Sequence, residues 1–516
     1  MPDSPNLVFV WTDQQAVNTL GAYGNDQIET PNLDGLANES VLFERAYVSE
    51  PSCGPSRSTV MTGLYPHASG VVENNASLPG NIACLPELAS FNDYSTVYMG
   101  KWHLGDEVFA QHGFDEWVSI EDQYRQYYSE QRDENVHSTY HRFLVENGFE
   151  PDRTEADGFE WFSRSFCAKL PEKYTKAAYL ATEATRFIEE NRDRPFLLYV
   201  MFLEPHPPYK GPRNDQYDPA EVTLPPNFQH DELDDQPLRI RLMRETIRRG
   251  LADRQPEFWD GPPDESDWRR LIANYWGLVS LVDAQVGAIL DTLDDCGLID
   301  DTVTVYTSDH GDTMGSHGLL SKFVMFEEAS RVPLLLRVPG ADRNGTRVET
   351  PISQVDLVPT LLDALDRPLP DHLQGTSWLP TLRGGDVPER NVFVVRNGPK
   401  TVGMAGRIGD TAPGERSGPM GVRPRIRPEL EERWLELADE GEILDAMTEP
   451  VRTIVTPEGL KLNYRPGGRN ELYDVANDPH EMDDLSTDPE YDDTVEELSD
   501  RILKWQNRVR DPLYLY

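Results

Sequence analysis

Two near-continuous apolar runs constrain this chain more than any other feature. Asn6 to Trp11 and Phe196 to Phe202 consist almost wholly of β-branched, aromatic and other apolar residues. Such runs suit strands buried on both faces, as in a parallel sheet covered by helices. A third strand, Thr302 to Thr307, ends as the first does. Each run delivers polar groups at its carboxyl end, where sites form in open α/β sheets. Thr12-Asp13-Gln14-Gln15 follows the first, Glu204-Pro205-His206-Pro207-Pro208-Tyr209 the second, and Ser308-Asp309-His310-Gly311-Asp312 the third. From spacing alone, Asp13 reads equally well as a turn or N-cap residue and as a ligand. The prolines after His206 stiffen the backbone and fix where the imidazole points. Asp13, Gln14, Asp309 and His310 meet in space if their strands are neighbours, which spacing does not establish.

A second constraint is Cys53-Gly54-Pro55-Ser56-Arg57, inside the run SEPSCGPSRSTVMTGLYPHASG from Ser49 to Gly70. Ser56 to Thr62 reads as the first turns of a helix, which puts Cys53 at or just before a helix N-terminus. Free amide protons and the helix field favour negative charge there. A lone cysteine is more often a small buried hydrophobe. Here the flank is polar, and Arg57 is costly to bury without an anionic partner. Gly100-Lys101-Trp102-His103-Leu104-Gly105 follows a short strand, Thr96 to Met99. In an extended segment, Lys101 and His103 point the same way. Lys322 begins a mostly apolar run, a position that also suits a lysine snorkelling to the surface.

Cys-x-Pro-Ser-Arg followed by Thr-Gly-Leu-Tyr-Pro resembles the signature of the sulfatases, in the alkaline-phosphatase-like group. The Gly-Lys-x-His-x-Gly element, His206 with its two prolines, Asp309-His310, and Lys322 with Glu-x-x-x-Arg-Val-Pro resemble the family too. The resemblance spans roughly Pro5 to Leu365, with a weaker tail match near Glu471. It implies an α/β fold with a mixed, mostly parallel sheet flanked by helices over residues 1–370. A smaller C-terminal sheet-plus-helix domain would fill residues 371–516.

The resemblance also implies the chemistry. Cys53 would be oxidised by a formylglycine-generating or equivalent maturation enzyme, and the hydrated aldehyde would be the nucleophile. Asp13, Gln14, Asp309 and His310 would hold one divalent cation, calcium first, with manganese or magnesium as alternatives. Arg57 and Lys101 would hold the loop and the anion, and His103 would act on the aldehyde hydrate. His206 and Lys322 would contact substrate and protonate the leaving group, and Tyr209 would wall the pocket. The implied reaction is hydrolysis of sulfate monoesters, on small molecules or glycans. Gln14 and His310 depart together from the commoner acid and amide pattern. They resemble the variant in phosphonate monoester hydrolases and choline sulfatases, so a phosphonate monoester or phosphodiester hydrolase is the alternative on the same site. A non-catalytic anion-binding relative is the alternative of another class.

The formal net charge is −42, from 90 acidic and 48 basic residues. Such a surface repels nucleic acid and anionic membranes, so neither is expected as a partner. It fits a chain that works in high salt, where screening weakens the self-repulsion. Four scattered cysteines do not make a disulfide scaffold. No basic segment leads into an apolar run at the start, and no stretch is read as transmembrane, so the reading is cytoplasmic.

Elsewhere, Gln123 to Tyr179 reads as a solvated insertion and Arg239 to Arg254 as a helix with a solvated face. Glu265 to Leu293 reads as a long helix packed on the sheet, with Asp283 making a local contact. His317 is expected to approach the site through its glycine-rich loop. Val332 to Val338 reads as one strand, Ile352 to Leu365 as a helix, and Gly398 to Pro428 as a mobile loop or lid.

Overall fold

The computed structural model describes residues 5–124, 127–154, 158–228, 236–250, 259, 261–398 and 428–515. The stretch between Gly398 and Pro428, and the end of the basic stretch beyond Gly250, lie outside the described residues.

Among the described residues, eight strands form the large sheet. They are β1 (Asn6–Asp13), β2 (Val41–Phe43), β4 (Ser95–Gly100), β5 (Glu116–Val118), β8 (Phe196–Pro205), β9 (Thr302–Ser308), β11 (Leu334–Arg337) and β12 (Arg347–Val348). β3 (Ala46–Tyr47), β10 (Arg331–Val332) and β13 (Ile352–Ser353) make a small sheet, and β6 (Arg153–Thr154) pairs with β7 (Glu160–Trp161). The large sheet runs β12-β2-β11-β9-β1-β8-β4-β5. β9, β1, β8, β4 and β5 are mutually parallel, and β11 runs antiparallel to β9 and to β2.

The continuous apolar runs have a direct physical reading. Leu7, Phe9 and Trp11 face one layer, while Val8 and Val10 face the other. In β8, Leu197, Tyr199 and Met201 are split from Leu198, Val200 and Phe202 in the same way. Both faces are therefore core, and each fully buried side chain of this size contributes about 1.5–3 kcal/mol. The helices Lys176–Glu190 and Glu265–Asp295 cover one face, and Cys53–Thr62 and Leu357–Ala364 cover the other. The long helix starts at a capping box, in which Asp264 accepts from the Asp267 amide at 3.0 Å. Its length and hydropathy suffice to cross a membrane, contrary to the sequence reading, but its apolar residues are packed inside the fold. Asp283 on it accepts from the Leu33 amide at 2.8 Å, the local contact expected.

Four segments differ from expectation. Pro333 cannot donate to a ladder, so the single strand expected at Val332–Val338 divides into β10 and β11, which lie in different sheets. Ile352–Leu365 opens with β13 and a tight turn at Gln354–Asp356, and only Leu357–Ala364 is α-helical. The insertion is not a solvated excursion, because Tyr124, Tyr127, Tyr140, His141 and Phe162 are all buried. The helix Leu238–Arg248 likewise buries Arg239 and Arg244 rather than presenting them to solvent.

The C-terminal region forms an antiparallel sheet of β14 (Val392–Arg396), β15 (Val451–Val455), β16 (Leu460–Tyr464) and β17 (Glu471–Asp474). The helix Asp492–Val509 packs on one face, where Trp505 stacks on Phe393 at 4.5 Å. The other face packs Val392, Val394 and Val451 against Tyr47, Val48 and Val332. Buried Lys461 joins Glu327 at 2.8 Å to Glu481 at 2.9 Å, which ties the two regions by charge as well as by packing.

Gly100 closes β4 with φ of 114°, and a Cβ there would lie 2.0 Å from the Met201 carbonyl oxygen on β8. Gly100→Ala should therefore cost roughly 2–4 kcal/mol, read by equilibrium urea unfolding. Gly80→Ala, in open space, should be near neutral. Equal stability of the two variants would contradict the close approach.

Candidate active site

Four neighbouring strands deliver the polar groups. Asp309 and His310 follow β9, Asp13 ends β1 with Gln14 next, His206 follows β8, and Lys101 and His103 follow β4. The helix Cys53–Thr62 begins at Cys53, with Pro55 tolerated in the first turn and Gly63 as a left-handed cap. The loop after β9 returns Lys322 to the same place. Ser321 and Phe323 on either side have φ of 78° and 73°, a kink that turns Lys322 inward to 1% exposure. It does not snorkel.

Arg57 is fully buried and organises the floor. It donates from Nε to Asp309 Oδ2 and from Nη2 to Asp13 Oδ2, both at 2.9 Å, and from Nη1 to the Lys101 carbonyl at 2.6 Å. Lys101 Nζ donates to the same Asp13 Oδ2 at 2.6 Å. Asp13 Oδ1 is thus left to face the centre, 3.9 Å from Cys53 Sγ and 3.8 Å from His310 Nε2. His310 donates from Nδ1 to the Gly311 carbonyl at 2.9 Å, so its Nε2 lone pair also faces the centre. Gln14 has φ of 72°, and its Nε2 is held by Tyr209 Oη at 2.9 Å and Asp312 Oδ2 at 2.5 Å. That leaves Gln14 Oε1 turned inward. Lys322 Nζ lies 2.8 Å from Gln14 Oε1, 2.8 Å from Cys53 Sγ and 2.9 Å from His310 Nε2.

Burial alone would push the Cys53 thiol up, but Lys322, with Lys101, outweighs it and holds the thiol well below its usual range. Burial also opposes ionisation of Asp13, yet Lys101, with Arg57 and Lys322, keeps its carboxyl low. Asp309 is pushed up, first by burial and then by Asp13, because it shares Arg57 with that neighbour. The donor set suits one hard divalent cation. Asp13 Oδ1 and the His310 Nε2 lone pair converge with Asp309, and Gln14 offers an amide oxygen.

The two remaining histidines are held neutral. His206 donates from Nδ1 to the Pro207 carbonyl at 2.8 Å, and burial lowers its pKa well below the usual value. His103 donates from Nε2 to Asn75 Oδ1 at 3.0 Å, and burial with Lys101 pushes it down to about 4. Its Nδ1 has no hydrogen-bond partner. The simple alternation expected of Lys101 and His103 fails, because His103 has φ of 61°. Glu107 holds the bend by accepting from the Trp102 and His103 amides. Both side chains nonetheless feel the Cys53 charge.

Two expected residues lie elsewhere. Tyr209 is fully buried behind Gln14 and positions that amide instead of walling the pocket. His317 stays with Asn227 at 3.0 Å and stacks on Phe326 at 3.7 Å.

A sequence profile described as Sulfatase matches residues 5–367. The chain belongs to the sulfatase family. It is accordingly a hydrolase of sulfuric esters with an alkaline-phosphatase-like fold. The uncharacterised sulfatase YidJ of Escherichia coli (strain K12) is 28% identical, over 99% of this chain and 89% of that protein. The N-acetylglucosamine-6-O-sulfatase of Bacteroides thetaiotaomicron is 27% identical, over 73% of this chain and 71% of its own. The structure of the phosphonate monoester hydrolase SpPMH from Silicibacter pomeroyi superposes with a TM-score of 0.75 at 22% identity, covering 98% of this chain and 95% of that one. At that identity it speaks for the fold.

Several supports of this sulfatase site escaped the sequence reading. Gln354 accepts from Ser56 Oγ at 2.8 Å and donates to the Ser308 carbonyl at 2.9 Å, joining the Cys53 helix to β9. Tyr124 stacks on His103 at 4.7 Å. Asn75 and Glu107 carry no pattern that singles them out. Asp312 does, since it sits in the same polar run as Asp309.

Lys322 is the largest charge that opposes burial at Cys53. Lys322→Met in unmodified protein should raise the pH of thiolate formation by about 1–2 units, followed by thiolate ultraviolet absorbance. An unchanged midpoint would exclude the lysine as the cause.

Proposed function

We propose that this sulfatase hydrolyses sulfate monoesters at Cys53, in the matured form, with one divalent cation, calcium before manganese or magnesium. The observation that carries the reading is the convergence of Asp13 Oδ1, the His310 Nε2 lone pair and Lys322 Nζ on Cys53 Sγ.

Asp13, Gln14, Asp309 and His310 are the residues that would hold the cation, which would neutralise sulfate oxygens and lower the pKa of a nearby hydroxyl. Oxidised to formylglycine, position 53 would supply a hydrated aldehyde, with one hydroxyl as nucleophile towards sulfur and the other to allow release of sulfate by elimination. The chain's own residues then divide the remaining work. Arg57 fixes the two carboxylates and the Lys101 carbonyl, so the floor cannot shift as charge moves. Lys101 and Lys322 place two ammonium groups beside a substrate anion. The Lys322 ammonium carries a proton for the leaving oxygen, while His206, kept neutral by burial, presents Nε2 to the substrate. His103 is neutral with an unpartnered Nδ1, so it can take up a proton beside residue 53, and its low pKa favours passing that proton on.

The relative that acts on N-acetylglucosamine 6-sulfate supports a glycan sulfate as the natural substrate class. A second reading, phosphonate monoester hydrolysis, is favoured by one feature, the pairing of Gln14 with His310.

Cys53→Ala should lower turnover by at least about a thousandfold while the unfolding midpoint stays near that of the parent. Retention of near-parental activity would end the proposal. Chelation should abolish turnover, with Ca2+ restoring it best among Ca2+, Mg2+ and Mn2+. The substrate readings separate on sulfate and phosphonate monoesters that share one leaving group. The expected result is a higher kcat/KM for sulfate, and the reverse would assign the site to phosphonates.

A further inference from the structure

Asp122, His137 and His141 form a second convergence of ligand atoms, apart from the Cys53 cluster. Ser138 caps the helix Thr139–Glu146, accepting from the His141 amide at 3.1 Å. His137 immediately precedes that cap, and His141 lies in the first turn. The spacing stacks the two imidazoles, with ring centroids 3.9 Å apart and planes within 9°. His141 is 6% exposed and His137 is half-buried. Both Nδ1 atoms are buried and have no hydrogen-bond partner.

The two Nδ1 atoms face the same carboxylate. His137 Nδ1 lies 4.0 Å from Asp122 Oδ1, and His141 Nδ1 lies 3.9 Å from Asp122 Oδ2. These separations are too long for hydrogen bonds. Leaving two buried ring nitrogens unpaired is costly, and a histidine pair meant to hydrogen-bond Asp122 would sit closer.

We propose that Asp122, His137 and His141 bind a divalent cation of the zinc class, with the two Nδ1 atoms and one carboxylate oxygen as ligands. Zinc takes nitrogen at about 2.0–2.1 Å and carboxylate oxygen at about 2.0–2.2 Å. In a tetrahedral site such bonds put ligand atoms about 3.3–3.5 Å apart. The nitrogens lie 3.9 and 4.0 Å from different oxygens of Asp122 and the rings are parallel, so binding draws the ligands inward by about half an ångström and turns one imidazole out of the stack. Two imidazoles and one carboxylate, without a thiolate, select zinc over calcium or magnesium.

The surroundings are those of a metal ligand set. Asp122 accepts from the Ser138 amide and from Ser138 Oγ, both at 2.6 Å, which fixes the carboxylate and leaves further lone pairs on its oxygens. Burial and the neighbouring His137 push His141 down to about 4, so its ring is neutral and ready to coordinate. The fourth position would take water. The cation would also stiffen the active-site wall. Glu121, next to Asp122, accepts from Arg164 at 3.0 Å, Arg164 reaches Tyr124 Oη at 2.8 Å, and Tyr124 stacks on His103.

Metal content tests the proposal on the full chain. Parent, His137→Ala, His141→Phe and Asp309→Asn proteins are stripped with chelator, incubated with excess Zn2+, desalted and assayed by elemental mass spectrometry. The expected result is one equivalent of Zn2+ fewer in His137→Ala and in His141→Phe than in the parent. Asp309→Asn, altered only in the Cys53 cluster, should still lose one equivalent when His137→Ala is added to it. Zn2+ should raise the Tm of Asp309→Asn by more than that of the double variant. His137 is partly exposed, so its replacement decides the matter should His141→Phe fold poorly. Equal zinc in the parent and His137→Ala would overturn the proposal.

Discussion

The buried guanidinium of Arg57 is the interaction on which the rest of the site depends. Asp13 and Asp309 end adjacent parallel strands and would repel each other in a dry interior. Arg57 meets both carboxylates and Lys101 meets one, so the charges lost from water are matched at short range. Removing one partner of such a buried network typically costs about 3–5 kcal/mol, because the others are left uncompensated. The network also decides which oxygen remains available. Asp13 Oδ2 is occupied by two cations, and Oδ1 therefore points toward Cys53.

A chain of net charge −42 that acts on sulfate esters works against its own long-range field. The structure concentrates positive charge where it counts. Arg57, Lys101 and Lys322 are all within the buried site, while the acidic excess is spread over the surface. At an ionic strength near 0.15 M the distant repulsion fades beyond about 8 Å. The buried charges are screened far less, and they dominate at contact distance.

Much of the frame was legible in the sequence because burial on two faces leaves a continuous apolar run. β1, β8 and β9 and the long helix Glu265–Asp295 lie close to where the apolar pattern placed them. The errors came where a single residue or a distant contact overrides pattern. Pro333 divides a run that is apolar throughout. The insertion looks polar because its charges are used internally, as in the pairing of Glu121 with Arg164 and Lys176. The role of Tyr209 could not be read, since nothing local says that its hydroxyl meets an amide 195 positions away.

By itself the sequence determined which chemical groups stand at the ends of which strands. A carboxylate, an amide, imidazoles and lysines follow apolar runs, and local sterics guarantee that they emerge at the carboxyl ends. Only the tertiary structure decided that β9, β1, β8 and β4 lie side by side, so that the Gln14 amide meets a carboxylate of Asp309, 295 residues along the chain. It also decided which nitrogen of each histidine is free, because that depends on the carbonyl or amide oxygen facing the other one. Periodicity encodes how deeply a strand is buried. The identity of its neighbour is set by long-range pairing and packing, which no local pattern records.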